Sequence, residues 1–155
     1  MVRKAYVGLG ANLGDRERSL RRALELLDAR DGIRVVRASS LRETAPWGPV
    51  EQPAFVNAAA ELETSLEPRE LLDALLAVER GLGRVREGEG PRYGPRTIDL
   101  DLLVYGDAVV VEPGLELPHP RLHERRFVLE PLAELDPALV VPGRGPVSAL
   151  LAALD

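Results

Sequence analysis

Asp99 and Asp101 stand two residues apart in Gly94-Pro95-Arg96-Thr97-Ile98-Asp99-Leu100-Asp101-Leu102-Leu103, a segment that otherwise suits a buried strand. A strand points residues i and i+2 to the same face, so the two carboxylates should project side by side. Adjacent anions repel one another and resist desolvation unless a cation lies between them. A hard divalent ion that prefers oxygen ligands, Mg²⁺ above all, meets that need. Arg96 sits just upstream, in position for a phosphate. The segment therefore reads as half of a metal-assisted phosphoryl-transfer site. The plainer reading is a half-exposed edge strand with its polar face in water. Leu102-Leu103-Val104 argues against it, because three apolar residues in a row predict a central, buried strand.

The residues leading into that strand carry their own signal. Over 84–96, Arg84, Arg86, Arg92 and Arg96 face only Glu87 and Glu89. Gly83, Gly88, Gly90 and Gly94 could hinge such a loop as a lid with phosphate-binding guanidiniums, against the alternative of a solvated connection. Asn57 is one of only two asparagines, the other being Asn12. Asparagine is disfavoured within strands, and its amide can pair with both donors and acceptors on a heterocycle edge. Phe55 shares its face; alone, Phe55 and Phe127 would each suit a core. His119 and His123 are four apart, but Pro118 and Pro120 break the helix a metal-binding pair would need, leaving His119 as a phosphate donor. Gly8-Leu9-Gly10-Ala11-Asn12-Leu13-Gly14 reads as a tight strand-to-helix turn or a ligand loop. Its glycine spacing fits neither a dinucleotide fingerprint nor a P-loop.

Elements that could position these residues follow in order. Residues 2–9 alternate as a strand. Asp15 can cap a helix with apolar positions Leu20, Ala23, Leu24 and Leu27, and Gly32 fits its stop. Residues 33–43 read as a second strand, and 44–53, with three prolines and a glycine, as a loop. Phe55 to Leu62 is a third strand. Pro68 opens a second helix with Leu71, Leu72, Leu75, Val78 and Leu82 on its apolar stripe. Ile98–Tyr105 is the fourth main strand. The order β-α-β-β-α-β predicts an α+β fold of ferredoxin-like type, an antiparallel sheet with helices on one face. A C-terminal extension adds a short strand near 108–112, a turn at Leu117-Pro118-His119-Pro120, a helix around 124–135 and an amphipathic turn at 147–154.

The chain of 155 residues suits one domain over 1–155. Cysteine is absent, no apolar run approaches the roughly 18 residues of a membrane span, and the first residues lack a signal-peptide core, so a cytoplasmic location is expected. A net charge of −5 argues against nucleic-acid binding over the whole surface. A monomer is expected.

Together these segments resemble the 6-hydroxymethyl-7,8-dihydropterin pyrophosphokinases of folate biosynthesis. The resemblance is carried by 6–15, by Glu43-Thr44-Ala45-Pro46-Trp47-Gly48-Pro49 with Gln52 to Ala58, by Gly83-Arg84-Val85-Arg86, by 94–101, and by Pro118 to Phe127. It implies a Mg²⁺-dependent enzyme, with two ions, that moves pyrophosphate from ATP to the pterin hydroxymethyl group and releases AMP. Asp99 and Asp101 match the metal pair. Arg84, Arg96, His119 and Arg125 match groups that grip the triphosphate, and Arg86 a loop arginine of the closed state. Asn57 matches the reader of the pterin edge, and Phe55 and Phe127 the aromatics that sandwich the ring. Thr44 and Trp47 match positions that complete the pterin pocket, and Glu79 a carboxylate near the boundary between the two substrates. Phe55 stands where a tyrosine is frequent, and Tyr93 where a tryptophan is common.

Two other functions compete on the residues alone. A non-catalytic ferredoxin-like RNA-binding module would use the arginine loop and the phenylalanines, but the carboxylate pair would repel phosphates without metal. A nucleotidyltransferase would instead leave AMP on the acceptor.

Overall fold

In the computed structural model, the structure describes residues 2–11, 16–44, 55–82 and 98–154. The strand β1 (Arg3–Ala11) is followed by helix α1 (Arg16–Asp28), in which Leu20, Ala23 and Leu27 are buried as their spacing predicts. Gly32, at φ +85°, turns the chain into β2 (Ile33–Ala38). A Cβ there would lie 2.8 Å from a Leu66 methyl carbon, so both conformation and space require glycine. Next come β3 (Arg42–Thr44), β4 (Phe55–Thr64) and helix α2 (Pro68–Gly81). Pro68 opens α2, and Glu70 reaches back to accept the Glu67 amide at 2.8 Å. The fourth main strand is β5 (Asp99–Tyr105). A hairpin of β6 (Val110–Glu112) and β7 (Leu115–Leu117), a 3₁₀ turn (Leu122–Glu124), helix α3 (Arg126–Leu135), a two-residue hairpin β8 (Val140–Val141) and β9 (Gly145–Pro146), and helix α4 (Val147–Ala152) complete the chain. Asp15, the expected cap of α1, and the 45–54 and 83–97 segments lie outside the described residues.

The main sheet has the order β2-β4-β1-β5, with β3 beside β4, and every pairing is antiparallel. This is the ferredoxin-like arrangement. The single strand expected over 33–43 is two strands along one edge of β4. At the break between them, Ser39 takes over the ladder: its amide donates to Ala59 O at 2.8 Å, and its hydroxyl accepts the Ala59 amide at 2.9 Å. Thr44, expected in a loop, closes β3 opposite Phe55.

Helices cover both faces of the sheet, not one. Leu20, Leu27, Leu71 and Leu75 from α1 and α2 pack with Val7, Leu9, Ala58, Leu62, Leu100 and Leu102. On the other face, Leu129, Leu132 and Leu135 of α3 pack with Tyr6, Ala59, Leu103 and Val104. A register shift in the β1–β5 pairing skips Leu103, so Leu103 and Val104 both reach this second core.

The expected position of β5 is corrected as well. β5 is not central: among the described residues it pairs with β1 alone and lies at the edge of the sheet. Its apolar residues are buried because α2, α3 and β7 cover it, and the His119 amide donates to Leu103 O at 2.8 Å on its outer side. No helix among the described residues is long and apolar enough to cross a membrane.

Candidate active site

Register builds the site. Asn57 stands opposite Gly10, and Gly10 opposite Asp99; in the next row Ala59 stands opposite Gly8, and Gly8 opposite Asp101. Cross-strand partners share a face, so Asn57 and Asp99 flank Gly10 on the face that α3 covers farther along. The two glycines leave the middle of this surface bare. A Cβ on Gly10 would lie 3.0 Å from Asn57 Oδ1, and one on Gly8 would reach the Leu103 side chain at 3.4 Å. Their place within β1, rather than in a turn after it, makes them the floor of a cleft.

That cleft holds about 640 Å³. Phe55 and Asn57 form one wall; the 3₁₀ turn and start of α3, with Arg121, Glu124, Arg125, Phe127 and Val128, form the other; Asp99 and Asp101 stand at its end. The Arg125 guanidinium lies 5.7 Å from the centre of the Phe127 ring, a cation–π arrangement that orients both side chains.

A second cleft of about 590 Å³ meets the first at the same two carboxylates. Leu72 and Leu76 of α2 and Leu115 of β7 give it apolar walls, and Glu116 and His119 line it with the Asp pair. His119 Nδ1 accepts the Arg121 amide at 3.2 Å, which leaves the proton of the neutral ring on Nε2. Burial pushes the His119 imidazole below its ordinary range; Asp101 opposes that shift and Arg125 adds to it. Glu79, 2% exposed, also lines this cleft, and its Oε2 accepts the Leu100 amide at 2.6 Å.

The fold thus brings Phe55, Asn57, Asp99, Asp101, Arg125 and Phe127 to one cleft and His119 to its neighbour. Thr44 lies on β3 opposite Phe55. Trp47, Arg84, Arg86 and Arg96 lie outside the described residues. Sequence reasoning missed Arg121 and Glu124, although both fall within the 118–127 segment it singled out. It also missed the use of Gly8 and Gly10 as a floor, for which the signal was their period of two within a strand. Among the described residues no three His, Asp or Glu side chains form a group that could hold a metal ion by themselves. The donor set at β5 is two carboxylates open to two clefts.

Comparison with known proteins agrees with this geometry. The family model described as 7,8-dihydro-6-hydroxymethylpterin-pyrophosphokinase matches residues 6–137. A Methylorubrum extorquens protein named 2-amino-4-hydroxy-6-hydroxymethyldihydropteridine pyrophosphokinase is 49% identical over 152 residues, which are 98% of this chain and 94% of that protein. A Pseudomonas aeruginosa protein of the same name is 43% identical over 153 residues, 99% of this chain and 93% of its own. The Plasmodium falciparum HPPK-DHPS chain solved with STZ-DHP superposes with a TM-score of 0.77 at 15% identity. That match covers 99% of this chain but 43% of the longer one, and the likeness is one of fold. With the sheet order, the converging clefts and relatives matched over nearly their full length, the chain belongs to the 7,8-dihydro-6-hydroxymethylpterin-pyrophosphokinase family.

Proposed function

We propose that this pyrophosphokinase transfers the terminal pyrophosphoryl group of ATP to the hydroxymethyl oxygen of 6-hydroxymethyl-7,8-dihydropterin, with Mg²⁺, and releases AMP. The observation that carries the reading is that two clefts of different character meet at Asp99 and Asp101. Direct transfer between two bound substrates needs that convergence.

The cleft with Phe55, Phe127 and Asn57 takes the pterin. Stacking on the two rings contributes about 1–3 kcal/mol per face, by analogy with base–aromatic stacking, and the Asn57 amide reads the heterocycle edge. Thr44 and Trp47 complete this pocket. The cleft walled by Leu72, Leu76 and Leu115 takes the nucleotide base, directing the triphosphate towards β5. Arg84, Arg96, His119 and Arg125 grip the phosphates, and Arg86 joins them when the loop closes and excludes water.

Asp99 and Asp101 fit Mg²⁺, which is commonly held by one or two carboxylates together with substrate phosphates rather than by an all-protein cage. Two such ions would neutralise phosphate charge and lower the pKa of the acceptor hydroxyl. In the reaction the pterin oxygen attacks the β-phosphorus, the bond from that phosphorus to the α–β bridging oxygen breaks, and the hydroxyl proton passes to solvent. None of the described cleft residues is an obvious strong general base. The same reading has the enzyme acting as a cytoplasmic monomer on small molecules, without nucleic acid or membrane.

Nucleotide analysis tests it. Protein incubated with ATP, Mg²⁺ and the pterin should form AMP only when the pterin is present. ADP as product, or pyrophosphate released with AMP left on the pterin, overturns the assignment.

A further inference from the structure

Glu134, near the end of α3, reaches across to the break between β2 and β3. Its Oε2 accepts the Ser40 amide at 2.7 Å; its Oε1 accepts the Ser40 hydroxyl at 2.6 Å and an Arg42 guanidinium N–H at 2.9 Å. Three donors from a three-residue stretch thus converge on one carboxylate. These contacts span 92 and 94 residues of sequence. Charge-assisted hydrogen bonds of this kind are among the stronger polar contacts a protein makes.

Where the brace attaches matters. Arg42 lies opposite Asn57 in the β3–β4 register, and Thr44 lies opposite Phe55. Opposed residues have Cβ atoms about 4.5–5.5 Å apart and share a face, so Arg42 is the lateral neighbour of Asn57. The other end of the brace is on the helix that carries Phe127. Glu134 and Arg42 therefore tie together the two walls of the aromatic cleft. The Arg42 Nε is shielded from water and has no partner among the described residues. A pair serving stability alone gains nothing from that shielded donor.

We propose that Glu134 and Arg42 are positioning residues for the pterin end of the site. By fixing β3 to α3, they set the separation between the Asn57–Phe55 wall and Phe127. Neither touches the reacting atoms. The inference rests on the assignment of this cleft to the pterin, so its test must separate the two.

The experiment is steady-state kinetics with 6-hydroxymethyl-7,8-dihydropterin and ATP on the Glu134→Gln, Arg42→Ala and Arg42→Lys variants, with Asn57→Ala alongside and thermal midpoints measured for all. The expected result for Glu134→Gln and Arg42→Ala is a pterin KM raised about tenfold, a factor equivalent to the loss of one charge-assisted contact. The ATP KM should stay within about twofold, since no uniform nucleotide contact is removed. Arg42→Lys, which keeps one charged donor, should recover part of the loss. Should either principal variant fail to fold, Ser40→Ala removes a single hydroxyl contact and should shift the pterin KM in the same direction. An unchanged pterin KM, or equal rises for both substrates, overturns the brace while a raised KM in Asn57→Ala leaves the pterin assignment standing. A normal pterin KM in Asn57→Ala overturns that assignment and the brace with it.

Discussion

Glu79 Oε2 accepts the Leu100 amide at 2.6 Å, midway between the two carboxylates of β5. Among the described residues β5 pairs with β1 alone, and this amide donates to Glu79 instead of across the ladder. A buried side chain of α2 thus satisfies the backbone of the strand that carries Asp99 and Asp101. Replacing Glu79 by Leu should strand that donor and destabilise the fold by about 1–3 kcal/mol. It should also lower turnover, because the segment between the two carboxylates loses its anchor. Glu79→Gln, which keeps an acceptor oxygen, should retain most of the stability. Denaturant midpoints and turnover of both variants check this; a Leu variant as stable as the Gln variant would refute it.

Asp101 is exposed and is not among the buried core residues. Asp101→Asn should therefore leave stability within about 0.5 kcal/mol. On the proposed metal role, turnover should fall roughly 100-fold or more, since the carboxylate would hold the Mg²⁺ whose charge stabilises the phosphates. Near-normal turnover in saturating Mg²⁺ would remove Asp101 from the metal role.

The two floor glycines make a matched pair of tests. A methyl group on Gly10 would crowd Asn57 Oδ1 at 3.0 Å, whereas one on Gly8 meets Leu103 at an ordinary 3.4 Å. Gly10→Ala should raise the pterin KM by displacing the amide. Gly8→Ala should change the fold little but narrow the floor beside Asp101. Calorimetric titration with the pterin alone distinguishes them; equal affinity for the wild type and Gly10→Ala would count against Asn57 as the pterin reader.

Acid should loosen the α3 brace. Hydrogen bonds from the Ser40 hydroxyl, from Arg42 and from the Ser40 amide hold the Glu134 carboxyl down to about 2, from an ordinary 4.5. A depressed carboxyl binds fewer protons in the folded state, so its contribution is complete above pH 4.5 and is lost as pH falls towards 2. Glu134→Gln should flatten the part of the stability profile between those values. Guanidinium melts at stepped pH measure it, and an identical slope in the variant would mean that Glu134 is not linked to folding.

At the alkaline end, burial, reinforced by Glu61, pushes the Tyr6 hydroxyl up to about 12. Its O–H lies 3.3 Å from Glu61 Oε1, a carboxylate that Arg37 and Lys4 also neutralise. A raised value means protonation is favoured in the folded state, so this contribution is intact below pH 10 and fades as pH climbs to 12. Tyr6→Phe should lose some stability at neutral pH, yet show a shallower alkaline decline. The ultraviolet absorbance of tyrosinate followed against pH reads the same ionisation directly.

Much of this was legible in the residues because period two is a local property. It puts Asp99 beside Asp101 and Phe55 beside Asn57 whatever surrounds them. The central position expected for β5 failed for a physical reason. Leu102, Leu103 and Val104 report that both faces are covered, and burial by helices and a hairpin looks the same in sequence as burial by flanking strands. The split at Ser39 was hidden because it is made by contacts distant in sequence: Ser39 bonds with Ala59, and Glu134 holds the next residues, Ser40 and Arg42. Arg121 and Glu124 were missed because a 3₁₀ turn between two prolines and a helix has no periodicity from which to assign a face.

Helix α3 supplies both the roof over Tyr6, Ala59, Leu103 and Val104 and the second wall of the aromatic cleft. Its residues come after every strand of the main sheet. On the ribosome, a nascent chain that has emerged through β5 already holds the carboxylate pair, Asn57 and the first core apart from Leu115 and Leu117 of β7. Chains are synthesised from the N-terminus at about 5–20 residues per second, so for a brief interval such a chain has a sheet with one bare apolar face and an aromatic cleft that lacks its second wall. Docking of α3 ends both conditions at once: the step that covers the second apolar face of the sheet is also the step that completes the aromatic cleft.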